Sequence, residues 1–278
     1  MRFGGNLFTD WKTPDEWAKS ARDCGYSAVY FPLDYHADTK TIDAFLAAAK
    51  AQDLVICEIG AWNNVLSPDS QKRADAYERA IHQLELADYL NAACCVNIAG
   101  TYHPTRWDGP HPDNMTERGF DDIVASCQKI IDAVHPKHTF YTLEPMPYMY
   151  PDSADCYLRL IRAIDRPAFG VHVDMVNIIS SPTLYYHNGE VMQEWFDKLG
   201  PYIKACHAKD IILREHLTVH LDECRPGTGA LDYDVYLKGV DQLGGDVCLM
   251  LEHMTDPNDY VLASAFIKEK AKKLNIRL

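Results

Sequence analysis

The sequence predicts an α/β fold, one (β/α)8 TIM barrel occupying residues 1–278, and three observations predict it. Short apolar runs alternate with amphipathic stretches of helical length, and the alternation repeats eight times. No compositional break or low-complexity linker divides the chain. Four of the apolar runs lead into long loops rich in Pro, Gly and aromatic residues, as strand ends do on the working face of a barrel.

The strand candidates, in order, are 3–8, 27–34, 54–62, 94–103, 139–146, 169–177, 202–210 and 247–254. Between them lie helix patterns such as TPDEWAKSARDCG, TIDAFLAAAKAQ, SQKRADAYERAIHQLELADYLNA, SADCYLRLIRAID and the 189–199 segment. Thr13 and Ser153 stand just before such periods, as N-caps do. Strands separated by helices call for parallel pairing, because the chain needs a crossover to return. A doubly wound open sheet is the alternative. FGGNLF at the first strand is not the Gly-rich phosphate fingerprint which that fold's nucleotide binders carry there. The long loops are 62–69, 101–115, 177–190 and 211–230, all following strands.

A formal charge of −13 repels phosphate backbones and anionic lipid, which argues against nucleic-acid and membrane partners. The opening MRFGGNLFTDWK has no signal pattern, and no apolar run is long enough to span a bilayer. Nine cysteines without CxxC pairs read as reduced thiols, with Cys57, Cys206 and Cys248 inside apolar strands; adjacent Cys94 and Cys95 leave a vicinal disulfide open. A cytoplasmic protein is expected. Periodicity shows no oligomer, although the aromatic-rich loops offer surface for a homo-oligomer.

A polar residue inside an apolar strand is costly to bury and needs a reason. Four strands end in a metal-competent group: Glu144 in TFYTLEPM, Asp174 in FGVHVDM, His207 in YIKACHA and Glu252 in CLMLEHM. Side-chain alternation aligns Glu144 with Thr142, Asp174 with His172, His207 with Ala205 and Glu252 with Met250. Three carboxylates and one imidazole then arrive at one depth of the barrel mouth. Three like charges there repel by several kcal/mol, roughly, even at an effective dielectric near 20, and a divalent cation resolves the conflict. Mixed carboxylate and imidazole ligation suits Mn2+, with Mg2+, Co2+ or Zn2+ as alternatives. Singly, each acid reads equally as an ion-pair partner or helix cap, and His207 as a hydrogen-bonded core histidine. The coincidence of four outweighs those separate readings.

With these residues in view, the chain resembles the xylose isomerase-like TIM-barrel superfamily of sugar isomerases and epimerases. The motifs carrying the resemblance are LEPMP, GVHVDMVN, KACHAKD, RPGTGALDY and LMLEHM. It implies one divalent metal on Glu144, Asp174, His207 and Glu252, a small sugar-like substrate, and a substrate contact from Arg225. Two departures stand out. Asn177 replaces a histidine that the family often carries three residues after the Asp. His216 and His220 resemble the extra ligands of three-metal AP endonucleases, but Asn177 and the acidic surface speak against that activity.

Several further residues have open readings. Glu58, aligned with Ile56 and Gly60, is a substrate or ligand-supporting contact, or an ion pair with Lys209 or Arg225. His172 reads as a partner to the ligands or a satisfied core residue. Trp62 and Trp107 either cover a sugar ring or pack their loops. Asn6 and Asn97 bond substrate hydroxyls or the barrel interior, and His103 and His253 are site or loop residues.

The expected chemistry is proton abstraction beside a metal-bound carbonyl, through an enediolate, with Glu144 and Glu252 as the catalytic carboxylates on strands three apart around the ring. Isomerisation or epimerisation follows. A lyase or dehydratase acting on a 3-keto sugar, keto-inositol or oxidised glycoside shares the first step and is the alternative, with a non-catalytic sugar-binding or partner subunit ranked below it.

Overall fold

The computed structural model describes residues 1–278, and its centre is a closed parallel barrel. The strands are β1 (Arg2–Gly5), β2 (Ala28–Tyr30), β3 (Val55–Gly60), β4 (Cys94–Ile98), β5 (Tyr141–Glu144), β6 (Phe169–Val173), β7 (Ile203–Ala208), β8 (Asp210–Leu213), β9 (Leu221–Cys224) and β10 (Cys248–Leu251). Around the ring they run β1-β10-β7-β6-β5-β4-β3-β2, so β10 closes the barrel against β1. β8 and β9 stand apart as an antiparallel hairpin. That hairpin lies inside the 211–230 loop, where the expectation was irregular chain. Its second strand places the exposed acids Asp222 and Glu223 between Leu221 and Cys224, so no apolar run marked it.

The helices form for local reasons that also seat them on the sheet. Thr13 Oγ1 accepts from Glu16 N at 3.2 Å at the start of Pro14–Asp23, and Ser153 Oγ accepts from Cys156 N at 3.2 Å before Ala154–Ile164. The latter helix buries Ala154, Tyr157, Leu160 and Ile164, a stripe at three- and four-residue spacing. Tyr157 crosses onto the strands, its hydroxyl within bonding distance of Leu143 O and Gly170 O. No helix is long and apolar enough to cross a membrane.

Two apolar layers result. The larger lies between strands and helices; the smaller fills the lumen with Ala28, Cys57, Cys94, Val96, Ala205, Cys248 and Met250. Small residues are required where the walls converge: a Cβ on Gly4 would stand 2.2 Å from Ala28 O. Cys94 belongs to the lumen and Cys95 to the outer layer, and both are free thiols, as are the other seven cysteines. Alternation turns the adjacent pair apart, which removes the vicinal disulfide.

Strict alternation fails at one functional position. Val29 pairs with Ile56, but Tyr30 pairs with Glu58, so the register slips by one residue at Cys57. Ile56 therefore joins the outer layer while Cys57 and Glu58 both face the lumen. The expected alignment of Glu58 with Ile56 is corrected by this irregularity.

Candidate metal centre

The four strand-end residues converge. Glu144 closes β5, Asp174 follows β6, His207 lies within β7, and Glu252 follows β10. One ligand atom from each lies within 4.8 Å of every other, and the first three side chains are buried. Asp174 also serves its own backbone. Its Oδ1 accepts from Asn177 N at 3.2 Å and caps the short helix Met175–Ile178. This leaves Oδ2 for the centre.

His207 is oriented from both sides. Nδ1 faces the carboxylates, 3.0 Å from Glu252 Oε2 and 3.3 Å from Glu144 Oε1. Nε2 lies 3.2 Å from Glu58 Oε2, and His172 Nε2 lies 3.0 Å from the other oxygen of Glu58. Glu58 thus accepts from two buried imidazoles. A carboxylate on the far nitrogen fixes the tautomer whose Nδ1 lone pair can ligate a metal.

Lys209, two residues beyond His207 on the same face of the chain, completes the group. Its Nζ stands 2.7 Å from both Asp174 Oδ2 and Glu252 Oε2, 3.6 Å from Glu144 Oε1, and 3.0 Å from His253 Nδ1. Neither short contact has hydrogen-bond alignment, and Asp174 Oδ2 and Glu252 Oε2 are buried without a directed partner. Two anionic oxygens without an aligned hydrogen bond, beside an imidazole nitrogen that becomes a ligand once deprotonated, suit a divalent cation, which bonds without needing a hydrogen to be aligned. The residues present fit the metal.

The electrostatics of the metal-free group follow from burial set against charge. Burial would raise the Asp174 carboxyl, but the Lys209 ammonium and His207 outweigh it and hold the group well below its ordinary value. Burial is likewise overcome at Glu252, where His207 brings the carboxyl down to about 2. At Glu144 burial prevails and the group is raised. Burial lowers His207, yet Glu252, Glu58 and Glu144 together drive it well above 6.5. His207 is therefore protonated at neutral pH without metal and must lose that proton to ligate. Metal affinity is expected to rise about tenfold per pH unit below that raised value, with about one proton released per ion. Calorimetric titration in two buffers of different ionisation heat checks this; a pH-independent affinity contradicts it.

The other candidates divide by place. Asn177 Nδ2 donates to Glu144 Oε1 at 3.1 Å, so it steadies a ligand carboxylate where the family often has histidine. A cavity of about 270 Å3 opens on the centre, lined by Glu144, Asn177, Glu252, His253, Trp62 and Trp107 among others. Trp62 lies over Gly60, where any Cβ would meet the indole nitrogen at 2.1 Å. Trp62 and His253 both adopt left-handed backbone, with φ of 31° and 59°. Such conformations are strained for non-glycine residues and concentrate at functional sites. His172 is fully buried beneath the centre and lines no cavity wall there.

Arg225 is placed elsewhere. Its Nε pairs with Asp259 at 3.1 Å, and it does not line the cavity that opens on the centre. Glu58 pairs with neither Lys209 nor Arg225; the two histidines are its partners. Asn97 is satisfied internally by Asn63 and Tyr141. His103 accepts from Thr105 N and Arg106 N in its own loop. His216 and His220 stack on each other at 3.9 Å at the hairpin end and belong to neither cluster of metal-competent groups.

Two residues of the site and its surroundings had no site role in the sequence reading, Lys209 being named there only as a possible partner of Glu58. Lys209 was signalled by alternation, since a lysine two places after a ligand in an apolar strand faces the same way. Asp210 is buried and receives four backbone N–H groups: Ile211 and Leu231 at 2.9 Å on Oδ1, Gly227 at 2.9 Å and Gly229 at 3.0 Å on Oδ2. The RPGTGALD loop is thus a cradle for an internal carboxylate. Asp210→Ala would orphan those donors, and it is expected to lower the unfolding free energy by about 3 kcal/mol. The midpoint in urea measures it.

Comparison with known proteins agrees with this architecture. A Clostridium cellulolyticum D-psicose 3-epimerase solved with D-tagatose superposes with a TM-score of 0.71 at 13% identity, covering 100% of both chains. A 3-keto-D-glucoside 4-epimerase from E. coli gives 0.66 at 16% identity over 97% of this chain and 99% of its own. A xylose isomerase-like TIM-barrel protein from Mycobacterium smegmatis, solved with magnesium, gives 0.66 at 15% identity over 98% and 93%. These likenesses show the shared fold. No curated protein matches in sequence. The model of the family described as xylose isomerase-like TIM barrel matches residues 18–270, and the chain belongs to that family.

Proposed function

We propose that the protein is a divalent-metal-dependent sugar isomerase or epimerase that moves a proton on the carbon beside a carbonyl. The observation that carries this reading is the meeting of three carboxylates and the Nδ1 of His207 beside a cavity, with two buried carboxylate oxygens that face Lys209 but accept no aligned hydrogen bond. A divalent cation held there supplies Lewis-acid stabilisation of the charge that develops on the carbonyl oxygen.

This chain's residues do the rest. Glu144 and Glu252 project from strands three apart around the ring and both reach the cavity wall. One removes the proton from the substrate carbon and the other returns one to the opposite face, which inverts the centre; return to the neighbouring carbon isomerises instead. Asn177 holds the Glu144 carboxylate by its amide. Trp62 and Trp107 wall the cavity and exclude water. No lysine or arginine lines it, so the substrate expected is unphosphorylated. Mn2+ is the metal proposed.

The test is incubation in D2O with Mn2+ and a panel of ketoses, keto-inositols and keto-glycosides, followed by NMR. Deuterium gained beside a carbonyl supports the reading, and product structure separates isomerisation from elimination. A protein that binds no divalent ion and exchanges no proton contradicts it.

A further inference from the structure

A cavity of about 580 Å3 opens at the end of the barrel remote from the candidate metal centre. It lies against Val55, Ala93, Ile203 and Val247, at or just before the first residues of β3, β4, β7 and β10, and shares no residue with the cavity on the centre. The reaction proposed above uses the opposite end, so nothing in it calls for this space. Leu54 and Leu90 are buried in its wall, and Leu46 and Leu243 stand half-buried where it meets solvent.

One charged residue is brought into this apolar space by an irregularity of β7. Val171 pairs with Ile203, but His172 pairs with Ala205, so the register slips by one residue at Lys204. Ile203 keeps its place in the outer layer and Ala205 its place in the lumen, and the extra residue is re-aimed, as bulges do. The Lys204 stem runs over Gly170, where a Cβ would stand 2.7 Å from its Cγ, and Nζ lies 3.9 Å from the centre of the Phe140 ring. Lys204 is half-buried; desolvation lowers its pKa, and no carboxylate opposes the shift. Asp246 is the one acid in the cavity wall, and its Oδ1 is paired with Arg2 Nε at 2.8 Å. Lys50 and His138 stand exposed at the rim. On a chain of net charge −13, this is a local cationic exception.

We infer that this cavity is a second ligand site, and that it binds an aliphatic monocarboxylate. The carboxylate pairs with the Lys204 ammonium, and the chain lies along Leu46, Leu54, Leu90 and Leu243. The volume is in the range that encloses small molecules, and a mostly apolar wall with one unpaired cation selects an apolar body with one anionic end. A sugar would lose water bonds against the leucines without replacement. A phosphate dianion would find a single half-buried donor, whereas phosphate sites gather several. An aromatic body is less suited, because the one ring in the wall, Phe140, has its face covered by Lys204 itself.

The experiment titrates octanoate, octanol, butanoate and inorganic phosphate into the Mn2+-loaded full chain by calorimetry. Octanoate is expected to bind about 10-fold tighter than octanol, the range of one hydrogen bond between charged groups. Its advantage over butanoate is expected to be about two- to fourfold per methylene buried. Lys204→Met is expected to abolish the preference for octanoate over octanol while leaving Mn2+ affinity unchanged. Should this variant not fold, the same titration of the unaltered chain without metal gives the answer, with octanoate bound as tightly as before. Octanol binding as tightly as octanoate overturns the anionic end of the ligand. Butanoate matching octanoate, or inorganic phosphate exceeding it, overturns the aliphatic body. Octanoate binding that requires Mn2+ places the carboxylate on the metal and overturns the second site. Affinity that falls as the protein is concentrated assigns the cavity to a contact between copies of the chain, and overturns it too.

Discussion

Glu252→Gln and Glu144→Gln are each expected to lower kcat by about 10²- to 10⁴-fold, the usual contribution of a positioned general acid or base. The amide preserves the size of each side chain and keeps one oxygen for a metal, but it cannot take a proton. Loss of turnover should therefore exceed loss of metal, which separates the proton-transfer role from ligation. The two variants should also differ in kind. If one carboxylate removes the proton and the other returns it, one variant retains exchange into D2O without forming product, and the other loses both. Near-native turnover in either variant, with metal retained, contradicts the assignment.

Glu58→Gln carries the second large effect, although Glu58 touches no substrate in the proposed mechanism. Its buried carboxylate is the shared acceptor for His172 Nε2 and His207 Nε2. An amide turns an NH2 toward one of those imidazoles and orphans it. Metal affinity is expected to fall about 10- to 100-fold, as it does when a partner of a ligating histidine is removed. Metal-free stability should fall by about 3–5 kcal/mol, the range for breaking a buried ion pair. The pH dependence identifies the cause. Burial raises Glu58, but His207 and His172 more than offset this and place it well below its ordinary 4.5. Its stabilisation is thus present above pH 4.5 and fades as pH falls toward the depressed value. His207 is raised above 6.5, so its share is full below that pH and is lost as pH rises through the raised value. The stability gap between wild type and Glu58→Gln should be widest between those limits and shrink on either side. Chemical denaturation across pH measures it; a constant gap would assign Glu58 a packing role instead.

The barrel and its four candidate ligands were legible because both rest on local rules. Each strand is an apolar run bounded by a helix, and Glu144, Asp174, His207 and Glu252 stand at the C-terminal ends of such runs. What the sequence hid depends on register and long-range pairing. Glu58 faces the lumen only because β3 slips by one residue against β2, and nothing local announces the slip. Its pairing with two histidines, 114 and 149 positions away, follows from ring order. The pairing of Arg225 with Asp259 on a neighbouring helix is likewise long-range, and its motif position does not announce it. The PGTG segment was legible only as a motif of the family resemblance. Its geometry is explained by Asp210, a residue that alternation alone would not connect to it.

Crystals grown with Mn2+ and measured for anomalous scattering provide the most direct measurement. One peak is expected, bounded by Glu144, Asp174 Oδ2, His207 Nδ1 and Glu252, with Lys209 Nζ displaced from the two oxygens it now approaches. No peak at saturating Mn2+, or a peak elsewhere while Lys209 stays between Asp174 and Glu252, would contradict the metal centre.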